Sequence, residues 1–283
     1  MKTLYINCPP EEGEATFEIQ FSDLAGNEGT PITASANNTK VIFDKTPPAD
    51  FTVGLLTPTG GNQVDGMWNL TNTGMDIIIP VANDTTLKNG TVQLYGKVGS
   101  NSFEVLGSIS TILSNEINAN KTISVSGTLI EGLTGFSEGQ RIYVKAVMSD
   151  RPGNITESSE SITQILIDET PASITPISIF SSNSNTTLAK VGDTVSVSFT
   201  TSENLIDTIA TISGQNAIIT SIGGNQFLAV YVMDESDSEG EIEFEISFID
   251  AQGTPLNSNN STTDASQVVF DKTKPTLSPV TII

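Results

Sequence analysis

A short acidic phrase recurs three times along the chain, and its spacing constrains the fold more than any other feature. The phrase reads FDKTPP at residues 43–48, IDETP at 167–171 and FDKTKP at 270–275. Asp44 and Asp271 are separated by the same distance along the chain as Asp23 and Asp250, which end an alternating apolar run upstream of each phrase. We call this separation the repeat interval. Its length indicates an array of whole domains and excludes a solenoid of short repeats.

The repeat divides the chain into segments that we call modules. The middle copy of the phrase splits the repeat interval into a longer and a shorter part, and 15 of 38 positions are identical between residues 11–48 and 238–275 without a gap. We therefore predict two module types in alternation. The segments are 1–46, the C-terminal part of an incomplete short module; 47–170, a complete long module; 171–273, a complete short module; and 274–283, the start of the next.

Alternating apolar residues and turn sequences predict the fold class. Each complete module contains about seven short alternating runs, separated by turns rich in Asn, Gly and Pro. The first strand of the long module is expected at 51–56, and the sixth strand of the short module ends at Asp250. The pattern predicts an all-β chain of tandem Ig-like Greek-key β-sandwiches arranged end to end, joined by proline-stiffened connections.

Composition excludes several classes of function. The net charge is −21, from 12 Lys and Arg against 33 Asp and Glu, which argues against nucleic acid and anionic membranes as partners. There is no histidine, so the commonest general base and the commonest transition-metal ligand are missing. The single cysteine, Cys8, permits no internal disulfide and is interpreted as an incidental thiol. We predict that the chain is not an enzyme and does not insert into membranes.

Carboxylates are the residues most able to carry chemistry. In a seven-stranded sandwich the second and sixth strands both end at the pole where the preceding module enters. In the long module this pole would gather Asp84, Asp150 and Asn154 with Asp44, and in the short module Glu203 and Asp250 with Asp168. Hard oxygen ligands without His or Cys suit Ca²⁺, with carbonyls near the joints completing the shell. Asp23 and Asp271 hold the corresponding places at the two ends of the chain.

A simpler interpretation of the same residues stays open. Asp23, Asp150 and Asp250 can each cap a turn through side-chain hydrogen bonds to backbone N–H groups, with no metal involved. Trp68, the only tryptophan, could stack on a sugar if it were exposed, but a strand tryptophan is more often part of the core.

Several segments resemble a known family. The run LAKVGDTVSVSFTTSE at 188–203, the turn DLAGN at 23–27 and the DKTPP joint resemble bacterial Ig-like repeats of giant adhesins and other surface proteins. In the long module, WNLTNT at 68–73 and GFSEG at 135–139 resemble a second such type. The turn at 250–254 lacks the usual Asn, and Arg151-Pro152 replaces the usual small pair. The resemblance implies a spacer or adhesive stalk, often stiffened by calcium.

The leading hypothesis is a spacer segment of a large extracellular bacterial surface protein, with Ca²⁺ at module junctions. Its partners would be the neighbouring modules of the same chain, and we expect a monomer located at the cell surface, with signal and anchor outside this segment. Two alternatives remain: a module that binds a glycan or a host surface, and accessory modules of a secreted hydrolase.

Overall fold

The computed structural model describes residues 2–7 and 12–280, so Cys8 lies outside the described residues. Strands make up 49% of the chain and helices 4%, which confirms the all-β prediction. The first strands are β1 (Lys2–Asn7), β2 (Gly13–Phe21), β3 (Val41–Phe43), β4 (Leu56–Thr59), β5 (Met67–Asn69), β6 (Gly74–Val81) and β7 (Thr91–Val98). The next are β8 (Glu104–Thr111), β9 (Ala119–Ser126), β10 (Arg141–Ser149), β11 (Ile155–Glu157) and β12 (Ile165–Asp168).

The remaining strands are β13 (Ile174–Ser181), β14 (Leu188–Ala189), β15 (Thr194–Thr201), β16 (Leu205–Ile212), β17 (Gln215–Asn216), β18 (Ile218–Gly223), β19 (Gln226–Val232), β20 (Gly240–Glu241), β21 (Phe244–Asp250), β22 (Pro255–Asn259) and β23 (Val269–Phe270). The helices are a short α1 (Gly127–Glu131) and the 3₁₀ turns Thr85–Leu87 and Ser114–Glu116. In the described part of the chain, no helix is long and apolar enough to cross a membrane.

The chain forms two compact units. The first contains residues 1–57, 75–136 and 142–164, and the second contains 58–74, 137–141 and 165–283. The division passes through the segment 47–170, so the module boundaries drawn from sequence remain a prediction.

In the first unit, β8, β7 and β10 are neighbours in one antiparallel sheet, and β11 pairs with the end of β10. Alternate residues of β6, β7 and β10 are buried, so each of these strands turns one face to a core and one to solvent. This is the period-2 burial that a sandwich requires. The expected strand at 51–56 is largely absent. The backbones of Gly54 and Leu55 each form one hydrogen bond with the backbone of Ile78, and the regular strand β4 begins only at Leu56.

The second unit contains a four-plus-four sandwich. One sheet has the order β13-β15-β19-β18 and the other β17-β16-β21-β22. The chain crosses between the sheets after β15, after β17 and after β19, which is the Greek-key connection of Ig-like domains. Inward residues of both sheets form one core, including Ile177, Val197, Phe199, Ile212 and Ile246. The Greek-key sandwich expected from strand spacing is therefore confirmed.

The sequence repeat extends to backbone register. Gly13 pairs with Phe43, and their counterparts one repeat interval further on, Gly240 and Phe270, pair in the same way. Similarly, Ile19 forms a bridge with Ile32 where Ile246 pairs with Asn259. The spacing in the sequence thus reports equivalent positions in two three-dimensional arrangements.

Candidate metal centre

The three turns that follow an apolar strand share one hydrogen-bond pattern. The backbone N–H groups of Asp23, Asp150 and Asp250 each donate to the carbonyl four residues later. The carboxylate of each aspartate accepts two backbone N–H groups from within its own turn at 2.7–3.1 Å. All three residues therefore act as turn caps, as the simpler interpretation expected.

The three caps differ in their surroundings. Asp23 is exposed, and hydrogen bonds from the side chain and backbone of Asn27 lower the pKa of its carboxyl group. Asp150 and Asp250 are buried at 3% and 0% exposure. A buried carboxylate needs compensation by hydrogen bonds or cations, since desolvation penalises its charge. Of the three caps, only Asp150 and Asp250 are therefore shielded from solvent.

The first joint consists of Asp44, Asp84, Asp150 and Asn154, all in the first unit. The side-chain amide of Asn154 donates to Asp150 Oδ2 at 2.9 Å and to the carbonyl of Asp44 at 3.2 Å. Asp84 Oδ1 caps the 3₁₀ turn by accepting the backbone N–H and hydroxyl of Thr86. Asp44 and Asp84 also line one pocket of about 250 Å³ together with Glu12.

One carboxylate oxygen at the first joint is buried without a hydrogen-bond partner among the described residues. Asp44 Oδ1 accepts the backbone N–H of Thr46 at 3.0 Å. Asp44 Oδ2 is buried and has no hydrogen-bond partner among residues 2–7 and 12–280. A buried, unpartnered carboxylate oxygen is costly unless a ligand or water satisfies it.

The second joint consists of Asp168, Glu203, Asp250 and Glu138, all in the second unit. Asp250 Oδ2 accepts the backbone N–H of Ala172 at 3.1 Å, in addition to its turn bonds. The hydroxyl of Thr254 donates to the carbonyl of Asp168 at 2.8 Å, in the role that Asn154 plays toward Asp44.

Electrostatic strain is concentrated at the second joint. Burial, followed by the charges of Glu138, Asp250 and Glu203, raises the pKa of Asp168 to about 6. Burial and the charges of Asp250 and Glu138 also raise the pKa of Glu203. These carboxylates lie close enough to repel one another, so a proton or a cation would relieve the repulsion.

The remaining candidates are not part of either group. Asp271 is exposed, and its Oδ1 accepts the backbone N–H of Thr273 in a local turn. Asp23 is likewise engaged only with its own turn. Neither contributes to the arrangements around Asp44 or Asp168.

The donor chemistry fits Ca²⁺, but the described residues form no closed centre. Within 2–7 and 12–280, no three His, Cys, Asp or Glu groups converge as a ready-made metal-binding group. The oxygen-only ligand set, the unpartnered Asp44 Oδ2 and the repulsion around Asp168 are nevertheless what a hard cation would satisfy. A Ca²⁺ ion would have to draw the carboxylates together on binding.

Sequence reasoning missed Glu138 and Glu12. Glu138 accepts the backbone N–H of Glu169 and raises the pKa of Asp168 through its charge. Glu12 accepts the backbone N–H of Lys45 and the hydroxyl of Thr46, as Glu239 does from Lys272 and Thr273. The matching positions of Glu12 and Glu239 within the repeat could have indicated the role of Glu12. No sequence pattern indicates that Glu138 lies near Asp168.

Trp68 is fully buried in β5, which confirms the core interpretation and removes it as a sugar-stacking surface.

Comparisons with known proteins gave structural likeness and no sequence match. No protein-family model matches the sequence, and a search of curated proteins found no match. Among solved structures, the chain resembles a Ca²⁺-stabilised adhesin with which an Antarctic bacterium binds ice, at TM-score 0.49 and 15% identity over 92% of this chain and 57% of that one. It thus spans less than two thirds of that structure.

Two further structures resemble the chain. One belongs to a 1.5-MDa bacterial ice-binding adhesin, at TM-score 0.45 and 13% identity, covering 92% of this chain and 73% of that one. The other contains fibronectin(III)-like modules of Clostridium thermocellum CbhA, at TM-score 0.34 and 13% identity, covering 77% and 94%.

Proposed function

We propose that this chain is a non-catalytic spacer segment of a large extracellular bacterial surface protein of adhesin type, stiffened by Ca²⁺ at its two internal joints. The feature that carries the proposal is the arrangement of Glu138, Asp250 and Glu203 around Asp168, where burial and these charges raise the pKa of Asp168 to about 6. Repulsion between these carboxylates destabilises the folded unit, whereas a divalent cation bound between them would be attracted to each of them.

Each joint offers oxygen ligands of the type that Ca²⁺ prefers. At the second joint, the ion would be held by Asp168, Glu203, Asp250 and Glu138. Asp44, Asp84 and Asp150 would hold it at the first, where Asp44 Oδ2 is buried and unpartnered among the described residues. The ion would supply positive charge and bind about six to eight oxygens in all, so carbonyls or waters must complete the shell.

The repeat supports the spacer role. Residues 12–46 and 239–273 share strand register, turn bonds and the hydrogen bond that the threonine hydroxyl of the joint donates to a glutamate. A protein that repeats whole domains with their connections gains length. The chain would pair mainly with neighbouring modules of the same polypeptide, outside the cell, where calcium is millimolar.

Calcium titration calorimetry tests the proposal directly. We expect wild-type protein to bind Ca²⁺ with a Kd of about 10⁻⁴–10⁻³ M, the range of extracellular modules. Asp168→Asn should remove one site and Asp44→Asn the other, while Asp271→Asn, a matched change in an exposed turn, should leave both. At ten times Kd, each site would stabilise the folded unit by about 1.4 kcal/mol.

Trp68 fluorescence provides the second readout, because this buried residue belongs to the second unit together with Asp168. Calcium should raise the unfolding midpoint seen by Trp68 in wild type and in Asp44→Asn, but not in Asp168→Asn. Absence of binding at millimolar Ca²⁺ would return the aspartates to the role of turn caps.

A further inference from the structure

The three-stranded sheet β1-β2-β3 has an apolar face on which none of the described side chains is fully buried. Leu4 and Ile6 of β1 lie opposite Ile19 and Phe17 of β2, so these side chains share one face. Val41 and Phe43 of β3 pair with Ala15 and Gly13 and extend the same face. We call this surface, Leu4, Ile6, Phe17, Ile19, Phe21, Val41 and Phe43, the open face.

The equivalent residues of the short module are fully buried. Phe21 is 39% exposed and its counterpart Phe248 3%; Val41 is 70% exposed and Val268 0%; Phe43 is 41% exposed and Phe270 1%. The counterparts belong to the core that joins the two sheets of the second unit. That core also contains residues of β13, β15 and β19 from the sheet β13-β15-β19-β18, whose strands lie within residues 174–232.

The pairing on the other side of β2 supports the same conclusion. In the short module, β16 pairs along β21 with Ala210 opposite Ile246 and Ile212 opposite Phe244. Along β2, this edge is occupied by β1, with Leu4 opposite Ile19 and Ile6 opposite Phe17. The repeat interval, however, aligns residues 4–6 with 231–233, at the end of β19 in the opposite sheet. Strand β1 thus occupies the place of a strand of β16 type.

We infer that the open face is a docking surface for the first half of a short-type module, that is, for a polypeptide segment equivalent to residues 171–238. This partner is defined by its shape and apolar character. The two copies share strand register and the hydrogen bonds of turn and joint, and the counterpart side chains are buried. In the docked state, a strand equivalent to β16 would take the place of β1 beside β2, and the docked segment would cover Phe21, Val41 and Phe43. This inference goes beyond the spacer proposal and does not depend on calcium.

A graft within the full chain tests the inference. A copy of residues 171–238 replaces residues 1–11, so that it continues into Glu12 as 238 continues into Glu239. We expect the backbone amides of 13–21 to exchange at least about tenfold more slowly than in the native chain, approaching those of 244–250. The calcium titration described above should be unchanged, so failure of either proposal is recognised separately.

Val41 and Ile42 provide matched control variants on opposite faces of β3. The counterpart of Val41 is buried, whereas that of Ile42, Val269, is 37% exposed. In the grafted chain, Val41→Glu should abolish the gain in protection and Ile42→Glu should preserve it. Unchanged exchange at 13–21 in the graft, or equal effects of the two variants, would overturn the inference.

The native chain provides a measurement that does not depend on the graft folding. The dye ANS should bind the open face, and Val41→Glu should reduce its fluorescence several-fold more than Ile42→Glu does. Sedimentation should show a monomer. A native dimer in which 13–21 is already protected would mean that a second copy covers the face, and would refute the docking partner inferred here.

Discussion

The two joints have the same local chemistry but differ in electrostatic environment. At both, a buried aspartate caps the turn after a core strand, and a polar side chain of that turn, Asn154 or Thr254, donates to the carbonyl of the incoming aspartate. At the second, three acidic neighbours and burial raise the pKa of the incoming carboxyl group, that of Asp168. The capped turn is therefore common to both joints, whereas the neighbouring carboxylates determine the electrostatic environment of Asp168 at the second.

The difference originates in one turn of the long module. Glu138 lies just before β10 and accepts the backbone N–H of Glu169, which brings a carboxylate next to Asp168. At the first joint, the additional acid is Glu12, which instead accepts hydrogen bonds from Thr46 and Lys45 that lower its pKa. An additional glutamate thus has a different consequence at each joint. Glu138 raises the pKa of Asp168, whereas the hydrogen bonds that Glu12 accepts lower the pKa of Glu12 itself.

The largest expected effect comes from removing a buried cap. Asp250→Ala leaves the backbone N–H groups of the buried Ala172 and Thr254 unsatisfied and should lower the free energy of unfolding by about 3 kcal/mol. Asp150→Ala releases the less buried N–H groups of Gly153 and Asn154 and should lower it by about 2 kcal/mol. Asp23→Ala, in the same turn type at the surface, should change stability far less. Urea unfolding followed by Trp68 fluorescence measures the Asp250 variant, and hydrogen exchange in β10 the Asp150 variant. Equal effects of all three would show that burial does not distinguish the caps.

A pH profile in EDTA should separate the joints next. Because the pKa of Asp168 is about 6 in the folded protein and 3.8 in the reference state, the folded state binds more protons between these values. This group therefore stabilises the fold fully at low pH, and its contribution is lost as pH rises from about 4 to about 6. Partial exposure screens the effect to roughly 1 kcal/mol.

Asp168→Asn should weaken that pH dependence, leaving only the part due to Glu203, whose pKa is raised by burial and by the charges of Asp250 and Glu138. It should also raise stability at pH 7 without calcium, as measured by Trp68 unfolding from pH 4 to 7. Asp44→Asn, the matched change at the first joint, leaves the group responsible intact and should retain the wild-type profile. A profile that is unchanged in Asp168→Asn would locate the titration elsewhere.

The donors to the joint carbonyls should matter less. Thr254→Val removes the hydroxyl that donates to the carbonyl of Asp168 while keeping its shape, and should cost about 1 kcal/mol at a fully buried position. Thr254→Ser, which keeps the hydroxyl, is the control, with thermal unfolding seen by Trp68 as the measurement. If serine and valine are equally destabilising, packing and not the hydrogen bond holds the turn to the joint.

The smallest effect concerns Glu138. Glu138→Gln removes one of three charges acting on Asp168, so the midpoint of the pH profile should move toward lower pH while the profile keeps its direction. Glu131→Gln, on the nearby short helix, should leave the midpoint unchanged. An unmoved midpoint in Glu138→Gln would mean that the charge of Glu138 does not act on Asp168.

The sequence by itself determined the repeat, the all-β class and the capped turns, because these depend on local patterns. Alternation along Phe244–Asp250 places the apolar side chains on one face, and an aspartate at the strand end can reach the N–H groups of its own turn. The repeat interval then indicated which residues of one copy correspond to the paired strand residues of the other.

Only the tertiary structure decided which acids share an environment and which apolar faces are covered. Glu138 and Asp168 are far apart in the sequence, with β10, β11 and most of β12 between them, and their interaction depends on how two turns meet. Phe21 and Phe248 lie in nearly identical strands, yet one is exposed and the other buried, because burial depends on a second sheet supplied by distant residues. Long-range packing sets desolvation, and desolvation sets both the charge behaviour of the joints and the exposure of the open face.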